Sequence, residues 1–431
     1  MFTKKSLMVL LVAVMLMTAC APQVSPVTPA AQAVTEPTRV SPANASTPAV
    51  QPASASNTCS CFEALSSELD NSTQARIRTV NEVMGADHTT VYVNGLPAMN
   101  GDRVQKNIPV GKFSGFLYVK PGVYSITLVP DGGTIDQALF KPVEVKAEAG
   151  HRYTVAAMGQ LADKDVHGLV VDETALGAGL GAGKTDNIAI DINNLKPAES
   201  ITELADGKTM AENIKYGEAR TWFTSAGSPV FVTMANVQGN SQKIFESDSS
   251  NGWAEPGVSM VIPWYASQDA TNFDGVGAQS QGTSELNVVD FLAGWNGPKV
   301  NIQGHIVTFN TFLKIIDKSG LRDQLVNGGP YVLLAPADEA FSKMSQADLD
   351  ALLNDPQALK TFMDAHLIDG YYPAGNLSGI SYGHSDRNLT NRLGQKVIFN
   401  EDNVNYFPAG TNYTVGNGNR VTVIYTLIPV K

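Results

Sequence analysis

Three short stretches carry residue types whose spacing could do chemistry. Residues 177–185 read GAGLGAGKT, and from Ala178 they follow A-x-x-x-x-G-K-T, a relaxed form of the phosphate-binding loop. Such a loop works when a strand feeds a tight glycine turn whose N–H groups face phosphate and a helix follows at once. The strand-like LVVDE (169–173) precedes it, but TDNIAIDINN follows with the alternation of a second strand. A flexible Gly/Ala linker is therefore expected, and no nucleotide. Gly379-Ile380-Ser381-Tyr382-Gly383, followed by His384, has the G-x-S-x-G spacing of a nucleophile elbow. That elbow needs a strand before it and a helix after it. Pro373, Gly375, Asn376, Asp386 and Asn388 make this neighbourhood a loop instead. Asp163-x-Asp165-x-His167-Gly168 begins like a calcium loop, yet its twelfth position is Thr174 where a bidentate Glu is required.

The histidines, at 88, 151, 167, 305, 366 and 384, show no paired metal spacing. His366 falls on the apolar face of a predicted helix, where a core histidine bonded to backbone is expected. Trp222, Trp253, Trp264, Tyr265, Tyr371 and Tyr372 are expected in cores, since aromatics fill sandwich interiors more often than they form platforms. The chain thus offers no catalytic residue, no metal site and no cofactor site.

The elements that would position any site begin with an export signal. Lys4 and Lys5 precede an apolar stretch, Leu7 to Met17, too short to span a bilayer and proportioned as a signal peptide (1–19). The Thr18-Ala19-Cys20 that follows resembles a bacterial lipobox, which implies lipidation of Cys20 and attachment to a membrane through that lipid. Ala21 lacks the Asp associated with inner-membrane retention, so the cell envelope, at the outer membrane or cell surface, is the expected location. The formal net charge of −11, which loses two positive charges with the signal segment, excludes nucleic acid as a partner. Residues 21–58 are rich in Ala, Pro, Ser, Thr and Val, with seven prolines between 22 and 52 that favour extended polyproline II. The segment 20–74 reads as anchor and stalk. Cys59 and Cys61 offer too few ligands for zinc and too little spacing for a relaxed bridge, so a redox-labile pair or contacts between chains are expected.

From Ala75 short alternating stretches take over: ARIRTV, TTVYVNGLP, FSGFLYV, GVYSITLV, KPVEVKA and HRYTVAAM, punctuated by Asn94-Gly95, Pro121-Gly122 and Asp131-Gly132-Gly133. This pattern predicts an all-β, immunoglobulin-like sandwich. Residues 107–130 line up with 213–236: Asn107 and Ile108 match Asn213 and Ile214, Gly111 matches Gly217, and Asn94-Gly95 matches Asp206-Gly207. A duplication is expected, with one module over 75–176, a linker at 177–186 and a second module over 187–270. ARIRTVNE, VYVNGLP and the G-x-x-S-G-F-L-x-V-x-P-G-x-Y run at 111–124 resemble a family of exported bacterial modules classed as a domain of unknown function, the DUF 4397 type. That resemblance implies paired β-sandwiches over about 75–270 and brings no catalytic residues. TNFDGVGAQSQGT then suggests a hinge at 271–284, where Gly275-x-Gly277 lacks the context of a dinucleotide site.

The remaining residues, 285–431, predict α+β structure. Thr308 is placed to cap a helix carrying Phe309, Phe312, Leu313 and Ile316, which Ser319-Gly320 ends. YVLLAPADEAF predicts a buried strand broken by Pro336. Ser345 caps one helix, and Asp355 with Pro356 starts the next, which carries Leu359, Phe362, Met363 and His366. NVVDFLA, FNTFLKIIDKSGLRDQL, YVLLAPADEAF, LKTFMDAHLIDGYY and GNRVTVIYTLIPV together resemble the fasciclin domain, a β-wedge with short helices. The resemblance implies structural roles for Ala335, Pro336, Asp338, Glu339, Phe341, His366 and Pro429. It also implies cell adhesion or matrix contact. Tyr425 stands where the family usually has Asp, so integrin-type contacts near it are not carried over. The expectation is a non-enzymatic surface lipoprotein whose modules space the fasciclin domain outward, toward protein or polysaccharide. The alternative is an apolar fasciclin groove that holds a hydrophobic pigment or lipid.

Overall fold

In a computed structural model the described residues are 60–101, 103–177, 187–196, 198–224, 231–246, 258–266, 276–278, 281–295, 307–372, 387–400 and 403–430. The signal segment, Cys20, residues 21–59 of the stalk, Ala178–Thr185, Trp253, and Ser381 with His384 lie outside them. The rest of the segment expected as stalk is not a free tether, since Phe62–Glu63 pairs parallel with Leu96–Asn100 and Leu65 bridges to Tyr118. Cys61 is disulfide-bonded.

The first β module is two facing sheets. One orders Leu96–Asn100, His88–Val93, Gly122–Pro130 and Val143–Ala147; the other orders His167–Asp172, Arg152–Gln160 and Ala75–Met84, with Lys112–Phe113 and Leu117–Val119 on its far edge. Each strand alternates, so one face of each sheet meets the other over Ile77, Val91, Ile126, Leu128, Val145 and Val155. Ala75–Met84 and Arg152–Gln160 run parallel although they lie far apart in sequence.

The same strand order then occurs again. Lys208–Lys215, Ser200–Ala205, Phe231–Val237 and Asn240–Glu246 form one sheet. Asn187–Asn194 pairs parallel with Val258–Ala266 and antiparallel with Ala219–Thr224 in the other. The backbone agrees in detail. Asn94 and Gly95 have φ of 50° and 80°, and Asp206 and Gly207 have 46° and 74°; both are left-handed hairpin turns. Asn107 and Asn213 share φ of 57° and 53°, and Gly111 and Gly217 share 76° and 78°. Asn81 and Asn193 also match: the Asn81 amide donates to the Ile108 carbonyl (3.1 Å), the Asn193 amide to that of Ile214 (2.8 Å). Their own carbonyls accept from Gly111 and Gly217 N–H at 2.7 and 2.9 Å.

In its described residues, 276–278 and 281–284, the stretch expected as a hinge over 271–284 is corrected. Val276–Ala278 and Gln281–Ser284 are strands on the edge of Val258–Ala266, and Thr283 continues the pairing to Thr414. Gly, Gln and Ser there say little about the ladder, because strand pairing uses the backbone of the neighbouring strand rather than the side chains of the segment. The sheet of the second module therefore runs into the C-terminal region, and one apolar cluster extends from Trp222 and Trp264 to Phe291, Trp295 and Phe312.

In that region Tyr331–Pro336 lies parallel to Asn419–Ile424 and antiparallel to Leu367–Asp369. The helices Val288–Ala293, Asn310–Ser319, Arg322–Asn327, Gln346–Asn354 and Pro356–Ala365 accompany this sheet. Asn287, Ser345 and Asp355 accept from the first-turn N–H groups of their helices, and Gly320 ends Asn310–Ser319 at φ 72°. Thr308 does not cap that helix. Asp338, from the turn after Tyr331–Pro336, accepts from the N–H groups of Asn310 (3.1 Å) and Thr311 (2.7 Å), and Thr308 donates its hydroxyl to the same carboxylate (2.6 Å). A carboxylate serves the helix N-terminus better than a hydroxyl because it also meets the helix dipole.

The modules are also not spaced apart in a line. Tyr371 donates its hydroxyl to the Phe116 carbonyl (2.8 Å) and packs edge-on against Tyr118, while Asn71 N–H donates to Asn417. The first module thus docks on the C-terminal region directly.

Candidate interaction surface

Two places concentrate the side chains a function could use, and the first is buried. Glu173, fully buried, accepts from Arg78 Nη2 (3.1 Å) and Thr154 (2.6 Å) on one oxygen and from Arg152 Nε (3.0 Å) on the other. Arg76 (2.8 Å) and Arg152 both bind Glu285, which stands just before the helix Val288–Ala293. The Arg78 guanidinium also lies over the rings of Phe113 and Phe116, at 4.6 and 4.7 Å. Burial by itself would raise the Glu285 carboxyl; Arg76 and Arg152 outweigh it and hold it at about 2. The same contest lowers Glu173. These ion pairs clamp the first module to the start of the C-terminal region. Sequence reasoning missed them. In ARIRTV the polar positions alternate correctly, but alternation says only that the second face is polar, and here a neighbouring module covers it.

The second place is exposed. The hairpin between Asn403–Val404 and Phe407–Val415 turns at Asn405 and Tyr406, with φ of 52° and 65°. Asparagine tolerates this region, and Asn405 fixes it by exchanging bonds with Ile398 (2.8 and 2.7 Å). For Tyr406 the same region costs about 1–3 kcal/mol. The strain presents Tyr406 and Phe407 to solvent, 63% and 54% exposed. Beside them Val404, Pro408, Ile424, Leu427, Ile428 and Pro429 line an apolar groove of about 100 Å³. That falls below the roughly 300 Å³ at which pockets begin to enclose a drug-sized ligand. Val430, 49% exposed, extends the apolar rim.

Of the residues singled out from the sequence, His366 and Pro429 meet this surface and the others lie elsewhere. His366 is fully buried, with Nδ1 2.8 Å from the Phe362 carbonyl and Nε2 accepting from Ile428 N–H (3.4 Å). Burial drives its pKa down to about 4, so the ring is neutral and Nδ1 carries the proton. It joins the helix Pro356–Ala365 to the groove. Ala335 and Pro336 lie in the buried strand, Phe341 stacks on Phe362, Glu339 is exposed, and the Pro429 carbonyl accepts from Gln395 (3.1 Å). Trp222 and Trp264 are buried, and Tyr371 fills the contact with the first module.

Asp163 and Asp165 are occupied by Lys196, whose Nζ lies 2.6 and 2.8 Å from them. A tethered ammonium stands where a calcium ion would have to sit. Among the described residues no three His, Cys, Asp or Glu side chains are grouped to hold a metal, and no helix is long and apolar enough to cross a membrane. The first described element after the GAGLGAGKT segment is the strand Asn187–Asn194, where a phosphate loop requires a helix.

Comparison with known proteins identifies two stretches of the chain. Residues 75–186 match the model of a domain of unknown function (DUF4397). The pig (Sus scrofa) transforming growth factor-beta-induced protein ig-h3 is 39% identical over 61 residues, 14% of this chain and 9% of that protein. Its rabbit (Oryctolagus cuniculus) counterpart is 36% identical over the same length and shares. The chain therefore spans less than a tenth of the length of these relatives. Among solved structures, the C-terminal domain of AlgF from P. aeruginosa aligns at 16% identity, covering 23% of this chain and 98% of that one, with a TM-score of 0.17. Residues 307–429, which contain the histidine tie, the Asp338 cap and the exposed hairpin, match the fasciclin family model, and this part of the chain is a fasciclin domain.

Proposed function

We propose that this protein is a non-enzymatic, lipid-anchored surface protein that makes adhesive contacts through the Tyr406–Phe407 hairpin and its apolar groove. The single observation behind this reading is the pair of exposed aromatics held out by a strained turn on a fasciclin domain, a domain commonly found in adhesion proteins. Aromatic side chains supply large contact area at low entropy cost and dominate interface energetics. The partner is protein or polysaccharide on a neighbouring surface. The lipobox at Cys20 and the Pro-rich stalk supply attachment and reach.

The test compares cells displaying the full-length protein with cells displaying Tyr406→Ala/Phe407→Ser. Loss of each anchor should weaken binding by about 2 kcal/mol or more, roughly thirtyfold. Aggregation and matrix attachment should fall accordingly, with surface abundance unchanged. Attachment equal to wild type would overturn the assignment of the hairpin. Deletion of residues 285–431 without effect would overturn adhesion altogether.

A further inference from the structure

Glu82 is fully buried where the two β modules face each other, and neither of its carboxyl oxygens has a hydrogen-bond partner. Its counterpart in the second module is Asn194, for each follows the matching buried asparagine, Asn81 or Asn193. Each also stands opposite a residue of the parallel partner strand, Met158 or Tyr265. Asn194 uses its side chain across the joint. Its Nδ2 donates to the Glu82 backbone carbonyl (2.7 Å), and its Oδ1 accepts from Gly159 N–H (3.1 Å). Around these bonds Val80, Phe113 and Met158 pack against Ile190, Ile192 and Val261. Gly111 leaves room for the Tyr265 ring, since a Cβ there would come within 2.6 Å of the phenol oxygen. The pairing is symmetric in backbone and asymmetric in chemistry: an amide bonded across the joint through its nitrogen and its oxygen on one side, an unpartnered carboxyl on the other.

The charged groups nearby are committed elsewhere. Arg78, on the same strand, is held by Glu173 and Thr154. Lys112 pairs in register with Asn81 and so shares the opposite face of the strand. From the second module, Tyr265 faces the joint, while Asp191 takes the indole bonds of Trp222 and Trp264 and interacts with Glu203 inside that module. At the rim, Lys196 is bound by Asp163 and Asp165, with Tyr216 and His167 beside them.

We infer that the joint between the β modules is a pH-sensitive latch, closed while Glu82 is protonated and opening as it ionises. Burial alone pushes the Glu82 carboxyl well above its ordinary 4.5, with no compensating charge. In an opened joint the group is hydrated and regains its ordinary value. The closed form is thus fully favoured below about 4.5 and loses up to about tenfold per pH unit as pH rises from there toward the closed-state value.

Hydrogen exchange of the peptide 152–160 in the full chain, corrected for intrinsic rates between about pH 5 and 8, reads this opening through Gly159. The wild type should open more readily as pH rises, with a slope of up to about tenfold per pH unit below the closed-state value. Glu82→Gln should remove that slope, and Asp191→Asn should leave it in place. A wild type with no slope beyond intrinsic exchange, or a Glu82→Gln variant with the wild-type slope, overturns the latch. Should Glu82→Gln fail to fold, Glu82→Met, which fills similar space without titrating, replaces it with the same expected outcome.

Discussion

In the first β module a buried carboxylate, Glu173, lies between two guanidiniums; in the second, Asp191 lies between two indole N–H groups. The strand order, turn residues and buried asparagine are common to both modules. What differs is the charge of the donors. Arginine side chains offset the cost of burying a carboxylate and keep it ionised. Indole N–H groups are neutral donors, so at Asp191 burial wins and its pKa is pushed up to about 7. Glu203, whose Oε1 has no partner, is driven upward as well, by burial and by Asp191. One backbone plan thus carries a charge-paired carboxylate clamp in one copy and, around Asp191 and Glu203, carboxyls raised by burial in the other. The difference follows position: the clamp reaches outward to Glu285 at the C-terminal region, whereas the raised carboxyls stay within their own core.

Breaking the clamp should have the largest effect. Glu173→Ala leaves Arg78 and Arg152 buried without their shared carboxylate and should cost about 3–5 kcal/mol. Urea unfolding of the full chain at neutral pH measures it, and a loss under about 1 kcal/mol would mean the network is not structural. The glycine pair tests the joint. An alanine at either Gly111 or Gly217 meets the left-handed penalty of about 1–2 kcal/mol. Only Gly111→Ala also meets Tyr265, which should add about 1–3 kcal/mol of overpacking. Equal melting temperatures for the two variants would refute the asymmetry.

The asparagine pair sharpens the likeness instead. Asn81→Ala and Asn193→Ala each leave buried backbone groups unpaired and should cost about 1–3 kcal/mol. If one proves neutral by chemical denaturation, the equivalence of the modules fails there. The pH profile gives the smallest effect per step, at most about 1.4 kcal/mol per pH unit. Glu285 is depressed to about 2, so its stabilisation is present above 4.5 and lost as pH falls through about 2. Asp191 is raised to about 7, so its stabilisation is present below 3.8 and lost as pH rises through about 7. Asp191→Asn should make the neutral limb shallower, with Glu82 and Glu203 still titrating, and Glu285→Gln should flatten the acid limb; calorimetry across pH would reveal any exchange of these roles.

Much of the molecule was legible because its signals are local. Alternation marked the strands from Ala75 to Gln160, and the pairs Asn94-Gly95 and Asp206-Gly207 marked matching hairpins. Ser345, Asp355 and Gly320 sit at their helix ends as their side chains dictate. His366 was legible as a core residue from its helical face. Other features depend on partners distant in sequence. Asp338 caps a helix that begins 28 residues before it. Glu285, just after the stretch that reads as a hinge, meets arginines 209 and 133 residues earlier. Tyr406 and Phe407 look like two more strand residues until the turn beneath them places both in solvent.

The amino-acid sequence by itself determined the period of each element, the left-handed turns and the caps, since sterics and nearest-neighbour hydrogen bonding act within a few residues. It also carried the recognisable order of the fasciclin segment. Tertiary structure alone decided which polar face was buried, which acid was ionised, and that the modules dock. Those outcomes depend on desolvation and on charges brought together from far along the chain, and no local pattern encodes either.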